Sequence, residues 1–174
     1  LEVLETGVLS RYVASQNADF MGGPRVREFE AHWAEKFSSK YALAVNSATS
    51  GLYAAVGAIG IRPGDEIIVS PYTMVASVTA AIVYNAVPVF ADIDPNTFCL
   101  SIESIKEKIT PRTKAIIVVH LFGHPADMDP IMALAKANDI AVIEDAAQAP
   151  FAMYNGQAVG SIGDIGVFSL NYHK

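Results

Sequence analysis

The sequence predicts a three-layer α/β/α fold with a mainly parallel central sheet. Short apolar runs ending in polar residues alternate with helical patterns along most of the chain. Runs such as Ala115-Ile-Ile-Val-Val and Ile140-Ala-Val-Ile are nearly continuous in Val, Ile and Ala, the pattern of strands covered on both faces. Composition supplies the core: of 174 residues, 52% are hydrophobic and 17% charged, with a mean hydropathy of +0.31, far from the disordered class.

The elements follow in order. Gly22-Gly23-Pro24 opens a helix running to about Phe37, in which Val26, Phe29, Trp33 and Phe37 share one apolar face. Strands are expected at Tyr41–Asn46, Glu66–Ser70, Val87–Asp92, Lys114–His120, Ile140–Asp145 and Ile165–Leu170. Helices fill the gaps at Thr49–Ile59, Met74–Tyr84, Ile102–Ile109 and Pro130–Asn138, the last with Asp129 as cap and Pro130 in the first turn. No internal repeat or low-complexity linker divides the chain, so residues 1–174 read as one domain.

Ile67 to Ala91 contains no charged residue and is long enough on paper to span a bilayer. Pro71, Thr73, Ser77, Thr79, Asn85 and Pro88 interrupt it, dividing it into a small-residue helix and a strand, Val87-Pro-Val-Phe, that reads as buried. Twelve Lys+Arg against eighteen Asp+Glu give a net charge of −6 without a basic cluster, so nucleic acid is not an expected partner. The single cysteine, Cys99, and the lack of zinc-type spacing fit a reducing cytoplasm and no metal. No charged segment followed by an apolar one opens the sequence, so no signal peptide is expected. Because residue 1 is Leu and residue 174 directly follows an expected strand, the sequence reads as part of a longer chain.

Ligands of open α/β sheets collect at the carboxyl ends of the strands. Asn46-Ser47-Ala48-Thr49-Ser50-Gly51 places small hydroxyl residues at the opening of a helix. Its first amides and the Ser47, Thr49 and Ser50 hydroxyls suit a phosphate, and equally suit an ordinary N-cap. Neither a Walker-type phosphate loop nor a dinucleotide fingerprint is present. In Ile140-Ala-Val-Ile-Glu144-Asp145-Ala-Ala-Gln148 a carboxylate stands where the apolar run stops. Asp145 either meets a cationic ligand nitrogen, with Gln148 one helical turn on donating to a ligand oxygen, or caps a helix beside a solvent-facing Gln148. Lys174 is either a solvated surface charge or, in a dry pocket, a nucleophile that condenses with a carbonyl. His120 is either a capped core histidine or a neighbour of a cofactor.

In order and spacing these stretches resemble the DegT/DnrJ/EryC1/StrS group of pyridoxal-phosphate sugar aminotransferases, of the aspartate-aminotransferase fold type. The resemblance rests on Gly22-Gly-Pro-Arg-Val-Arg-Glu-Phe-Glu30, Tyr41-Ala-Leu-Ala-Val-Asn-Ser-Ala-Thr-Ser50, Arg62-Pro-Gly-Asp-Glu-Ile-Ile-Val-Ser-Pro-Tyr-Thr73 and Val89-Phe-Ala-Asp-Ile-Asp94. It continues through Val119-His-Leu-Phe-Gly-His-Pro-Ala-Asp-Met-Asp129, Ile143-Glu-Asp-Ala-Ala-Gln-Ala149 and Phe168-Ser169 with Lys174, covering nearly the whole chain.

The resemblance implies pyridoxal 5′-phosphate as cofactor, held covalently by Lys174, which would also shuttle the proton of the chemical step. Asp145 would pair with the protonated pyridine nitrogen, Gln148 would contact the phenolic oxygen, and Ala48, Thr49 and Ser169 would bind the phosphate. Met74 stands where the family carries a ring-stacking Phe or Trp, a departure that a thioether tolerates and that Tyr72 would offset. Ala48 replaces the commoner glycine between Ser47 and Thr49. The implied reaction moves an amino group, from glutamate, to a keto group of a nucleotide-linked sugar in a surface-polysaccharide or natural-product pathway. The implied assembly is a cytoplasmic homodimer with the active site at the subunit boundary and a smaller C-terminal domain beyond the lysine. Members with histidine in place of the lysine dehydrate the sugar instead; here Lys174 is present, preceded by His173. A regulatory protein that binds the cofactor without turnover would have no need of Lys174, Asp145 and Gln148 together.

Overall fold

The structure, a computed structural model, describes residues 1–7, 16 and 20–172. The chain divides into two compact units, Leu1–Ala44 and Val45–Lys174. The first holds helices α1 (Glu2–Thr6) and α2 (Pro24–Lys36). Proline at the first position of α2 costs no hydrogen bond, because that amide has no helical acceptor. The expected aromatic face is present: Phe29 and Trp33 lie 5.4 Å apart, and Trp33 stacks on Phe37 at 4.9 Å. Glu30 accepts a hydrogen bond from the Ala44 amide at 2.7 Å, tying the end of this unit to α2.

Tyr41–Asn46 departs from expectation, being coil rather than strand. Tyr41, Leu43 and Val45 are 78%, 58% and 44% exposed, and no strand among the described residues pairs with this segment. Alternating apolar residues make a strand only where a neighbouring backbone takes up their hydrogen bonds.

The second unit carries the sheet. Its elements are α3 (Ala48–Ala58), β1 (Glu66–Val69), α4 (Val75–Ile82), β2 (Val87–Phe90), α5 (Ile102–Lys108), β3 (Thr113–Val119), α6 (Met128–Ala137), β4 (Ala141–Asp145), the short hairpin β5 (Met153–Tyr154) and β6 (Gln157–Ala158), and β7 (Ile165–Val167). Five strands pair in the order β2-β1-β3-β4-β7, all parallel. Right-handed crossovers put α4, between β1 and β2, on one face and α5 and α6, which carry the chain back the other way, on the opposite face. Accordingly α3 packs with α4, and α5 with α6.

Ile67, Ile68, Val69, Ala115 to Val118, Val142 and Ile143 are inaccessible to solvent, as strands covered on both sides must be. Val87-Pro-Val-Phe is instead an edge strand, with Val87 48% and Phe90 47% exposed. Pro88 fits such an edge because it has no N–H to offer a further neighbour. Helix α6 starts two residues before the expected Pro130, and its cap is not an Asp129 side chain. The Tyr154 hydroxyl accepts from the Asp129 amide at 3.2 Å and donates to Asp127 at 2.5 Å, so the hairpin satisfies the helix start.

At the amino end of the sheet Glu66 is buried on β1. It accepts hydrogen bonds from the Thr110 hydroxyl at 2.5 Å and from Arg112 Nε at 2.9 Å. The Thr110 hydroxyl leads in holding this carboxyl below the usual range, and with Arg112 it overcomes the opposing effect of burial. No helix among the described residues is long and apolar enough to cross a membrane.

Candidate active site

Asp145 is the last residue of β4 and is only 7% exposed. Two donors reach its carboxylate: the Ser77 hydroxyl bonds Oδ2 at 2.7 Å and the Ala147 amide bonds Oδ1 at 3.2 Å. No helix follows. Residues 146–149 form a tight turn closed by the Ala149 amide on the Ala146 carbonyl at 3.0 Å, so Asp145 is not a helix cap and Gln148 is not one helical turn away.

That turn points Gln148 back toward the end of β3, where its Oε1 accepts from the Phe122 amide at 2.9 Å. With the oxygen so engaged, the amide nitrogen Nε2 is left as a donor without a partner among the described residues. Phe122 provides this contact in a left-handed conformation, φ 54°, inside the one-turn 3₁₀ segment Leu121–Gly123.

Register brings the other expected residues to the same edge. Asp145 pairs with Val167 of β7, and the Ala146 amide donates to the Val167 carbonyl at 2.9 Å. The first turn of α3 lies against Val167: a Cβ on Gly51 would stand 2.8 Å from a Val167 methyl. Thus Ala48 and Thr49, both half-buried, open a helix beside the strand end from which Ser169 follows two residues later. The N-cap reading holds for Ser47, whose Oγ accepts from the Ser50 amide at 3.1 Å. The amides of Ala48 and Thr49, at the first two helical positions, have no acceptor within the helix. Ser169 is half-buried, and its hydroxyl accepts from the Asn171 amide at 3.3 Å.

Met74 is the N-cap residue of α4 and is 55% exposed. The Ser77 amide donates to the Met74 carbonyl at 3.2 Å, so Met74 lies one turn from the group that touches Asp145. The Tyr72 ring turns to Phe98 and Phe122, with centroids 5.9 Å and 6.4 Å away. His173 and Lys174 lie outside the described residues.

His120 resolves to the core alternative. It is fully buried, its Nδ1 accepts from the Ala126 amide at 3.1 Å, and its Nε2 donates to Glu144 at 2.9 Å. Glu144 also accepts from the amides of Gly160, Ile162 and Gly163 at 2.7, 2.7 and 2.6 Å. Burial would push its carboxyl up, but the bonds from His120 and from the Gly163 and Gly160 amides outweigh it and hold the group below the usual range. Adjacent in sequence, Glu144 and Asp145 face opposite sides of the sheet: one pins the loop before β7, the other faces α4.

Glu144 and Ser77 were absent from the expected site. Both leave a trace in the sequence, Glu144 as a carboxylate inside an apolar run and Ser77 as a hydroxyl within the buried set Ala76, Ser77, Ala80 and Ala81. A polar group so placed needs a partner. Nothing in the spacing says which.

A parallel sheet between layers of helices thus carries a buried carboxylate, an amide donor and a helix start at its strand ends. Residues 9–174 match the DegT/DnrJ/EryC1/StrS aminotransferase family, and the chain belongs to it. It is 47% identical over 154 residues to the UDP-N-acetyl-3-dehydro-alpha-D-glucosamine 3-aminotransferase of Acidithiobacillus ferrooxidans, an alignment covering 88% of this chain and 42% of that protein. The aminotransferase of Psychrobacter cryohalolentis superposes with a TM-score of 0.88 at 43% identity, over 96% of this chain and 40% of the other. A GDP-4-keto-6-deoxymannose-3-dehydratase, solved with a trapped PLP-glutamate geminal diamine, superposes with a TM-score of 0.83 at 34% identity, over 87% and 41%. The chain therefore spans about two fifths of the length of these relatives.

Proposed function

We propose that this chain is the cofactor-binding large domain, residues 1–174, of an enzyme that transfers an amino group, from glutamate, to a keto group of a nucleotide-linked sugar. The observation that carries the reading is Asp145, a nearly buried carboxylate with two donors on it, flanked by a free amide donor on Gln148. Such an arrangement suits a ring that presents a protonated nitrogen on one edge and an oxygen on another. The relatives named for sugar amination support the substrate class.

Pyridoxal phosphate, when bound, supplies a conjugated sink for the electron pair left when a substrate carbon loses its proton. Asp145 holds the proton on the pyridine nitrogen, without which that sink is weak. Gln148 donates from Nε2 to the phenolic oxygen, its rotation fixed by the Phe122 amide. The first amides of α3, at Ala48 and Thr49, with the Thr49 and Ser169 hydroxyls, hold the phosphate at the positive end of the helix. Met74 would pack against one face of the ring. Lys174, seven residues beyond the end of β7 in sequence, would hold the cofactor and would take up and return the substrate proton at Nζ as general base and then acid. The enzyme works in the cytoplasm as a homodimer.

Dehydration of a related sugar is the second reading, favoured by the likeness to the solved dehydratase; a lysine rather than a histidine at residue 174 argues for amino transfer. Borohydride reduction of the full-length enzyme followed by intact mass and peptide mapping tests the assignment. We expect one pyridoxyl-phosphate increment on Lys174, absent in Lys174→Ala together with turnover. No adduct after incubation with the cofactor, or full activity in Lys174→Ala, would overturn it.

A further inference from the structure

Ser77 is completely buried on α4, 68 positions from Asp145 in sequence, and its hydroxyl has two neighbours. Asp145 Oδ2 lies at 2.7 Å and the Thr73 hydroxyl at 3.2 Å. A hydroxyl has one proton, and an ionised carboxylate can only accept. Ser77 therefore donates to Asp145, and Thr73 donates to Ser77. The outcome is a directed chain from the loop after β1, through the first turn of α4, to the end of β4.

The chain ends on the oxygen opposite the one bonded by the Ala147 amide, so both carboxylate oxygens are fixed from the protein side. Two such bonds leave the group a single orientation. The same helical turn carries Met74, whose carbonyl accepts the Ser77 amide at 3.2 Å. The residue assigned to the ring face and the one that orients the partner of the ring nitrogen are thus coupled through one turn of backbone.

We propose that Ser77 is a positioning residue for Asp145. It holds the carboxylate in the orientation that receives the protonated pyridine nitrogen, with Thr73 orienting Ser77 in turn. The proposal rests on the cofactor assignment made above. A merely structural serine would satisfy its own hydroxyl and leave cofactor binding untouched.

The test is a titration of the full-length apoenzyme with pyridoxal phosphate, followed by visible absorbance and circular dichroism, for the unsubstituted protein, Ser77→Ala, Thr73→Val, Asp145→Asn and Ser77→Ala/Asp145→Asn. Loss of one hydrogen bond to a charged group predicts about tenfold weaker cofactor binding in Ser77→Ala, with an altered dichroism band. Thr73→Val, which keeps Ser77 in place, should move the same readouts in the same direction by less. In the Asp145→Asn background Ser77→Ala should add little, because the interaction it serves is already impaired. Affinity and dichroism unchanged in Ser77→Ala, or an equal loss with and without Asp145, would overturn the proposal alone. No cofactor uptake by the unsubstituted enzyme would remove the cofactor assignment as well, and so separates the two failures.

Discussion

At residue scale the site depends on two consecutive carboxylates with different work. Asp145 keeps acceptor capacity turned to the strand end, whereas Glu144 spends its own on four donors of the protein. Asp145→Asn should still take up the cofactor, with weaker affinity, yet slow turnover on the order of 10²-fold or more, since an amide cannot hold the ring proton. Steady-state assay beside cofactor titration checks this, and unchanged turnover would contradict the role. Glu144→Gln replaces an acceptor with an NH₂ facing the donors that Glu144 now receives. Each unsatisfied buried group costs about 1–3 kcal/mol. The urea midpoint should fall with the m-value unchanged, whereas an unaltered midpoint would show that the loop before β7 does not depend on Glu144.

At the scale of elements, the start of α3 and the loop into β7 set the spacing of the site. Ser47 caps α3, so Ser47→Ala should destabilise the protein by about 1 kcal/mol in urea unfolding. Gly51 and Gly166 are there for space: a Cβ at Gly51 would meet Val167, and one at Gly166 would run into the Gly160 carbonyl. Gly166→Ala should lower the midpoint further than Ser47→Ala, because backbone has to move and a cap does not. The helices α2 to α5 were legible to within a residue or two, since a 3.6-residue apolar period survives any packing. The start of α6 was as close, two residues off, but its cap was not legible, because the Tyr154 hydroxyl that supplies it arrives from a hairpin 25 residues away.

For the whole molecule, two buried carboxyls are held below their ordinary range, Glu66 at the amino end of the sheet and Glu144 at the carboxyl end. In the unfolded chain both return to ordinary values, so the unfolded state takes up protons first as pH falls. Their contribution is therefore complete at neutral pH, above the ordinary carboxylate range, and is lost as pH falls through that range and below it. Urea midpoints should stay level from about pH 7 to about pH 5 and drop as pH falls further, through the ordinary carboxylate range and below it, less steeply in Glu144→Gln. A flat profile would mean that neither network matters to folding.

By itself the sequence determined the class of fold, the placement of most helices and buried strands, and the position of Thr49, Asp145 and Gln148 at strand ends, because apolar periodicity and polar strand ends are local properties; Ala48 and Ser169 were named only through the family resemblance. Tertiary structure alone decided that Tyr41–Asn46 is coil, that Val87–Phe90 lies at an edge, that His120 belongs to the core, and that Asp145 is gripped by Ser77. Each of these depends on which backbone or side chain from a distant part of the chain arrives to accept or donate a hydrogen bond, and a one-dimensional pattern carries no record of the partner.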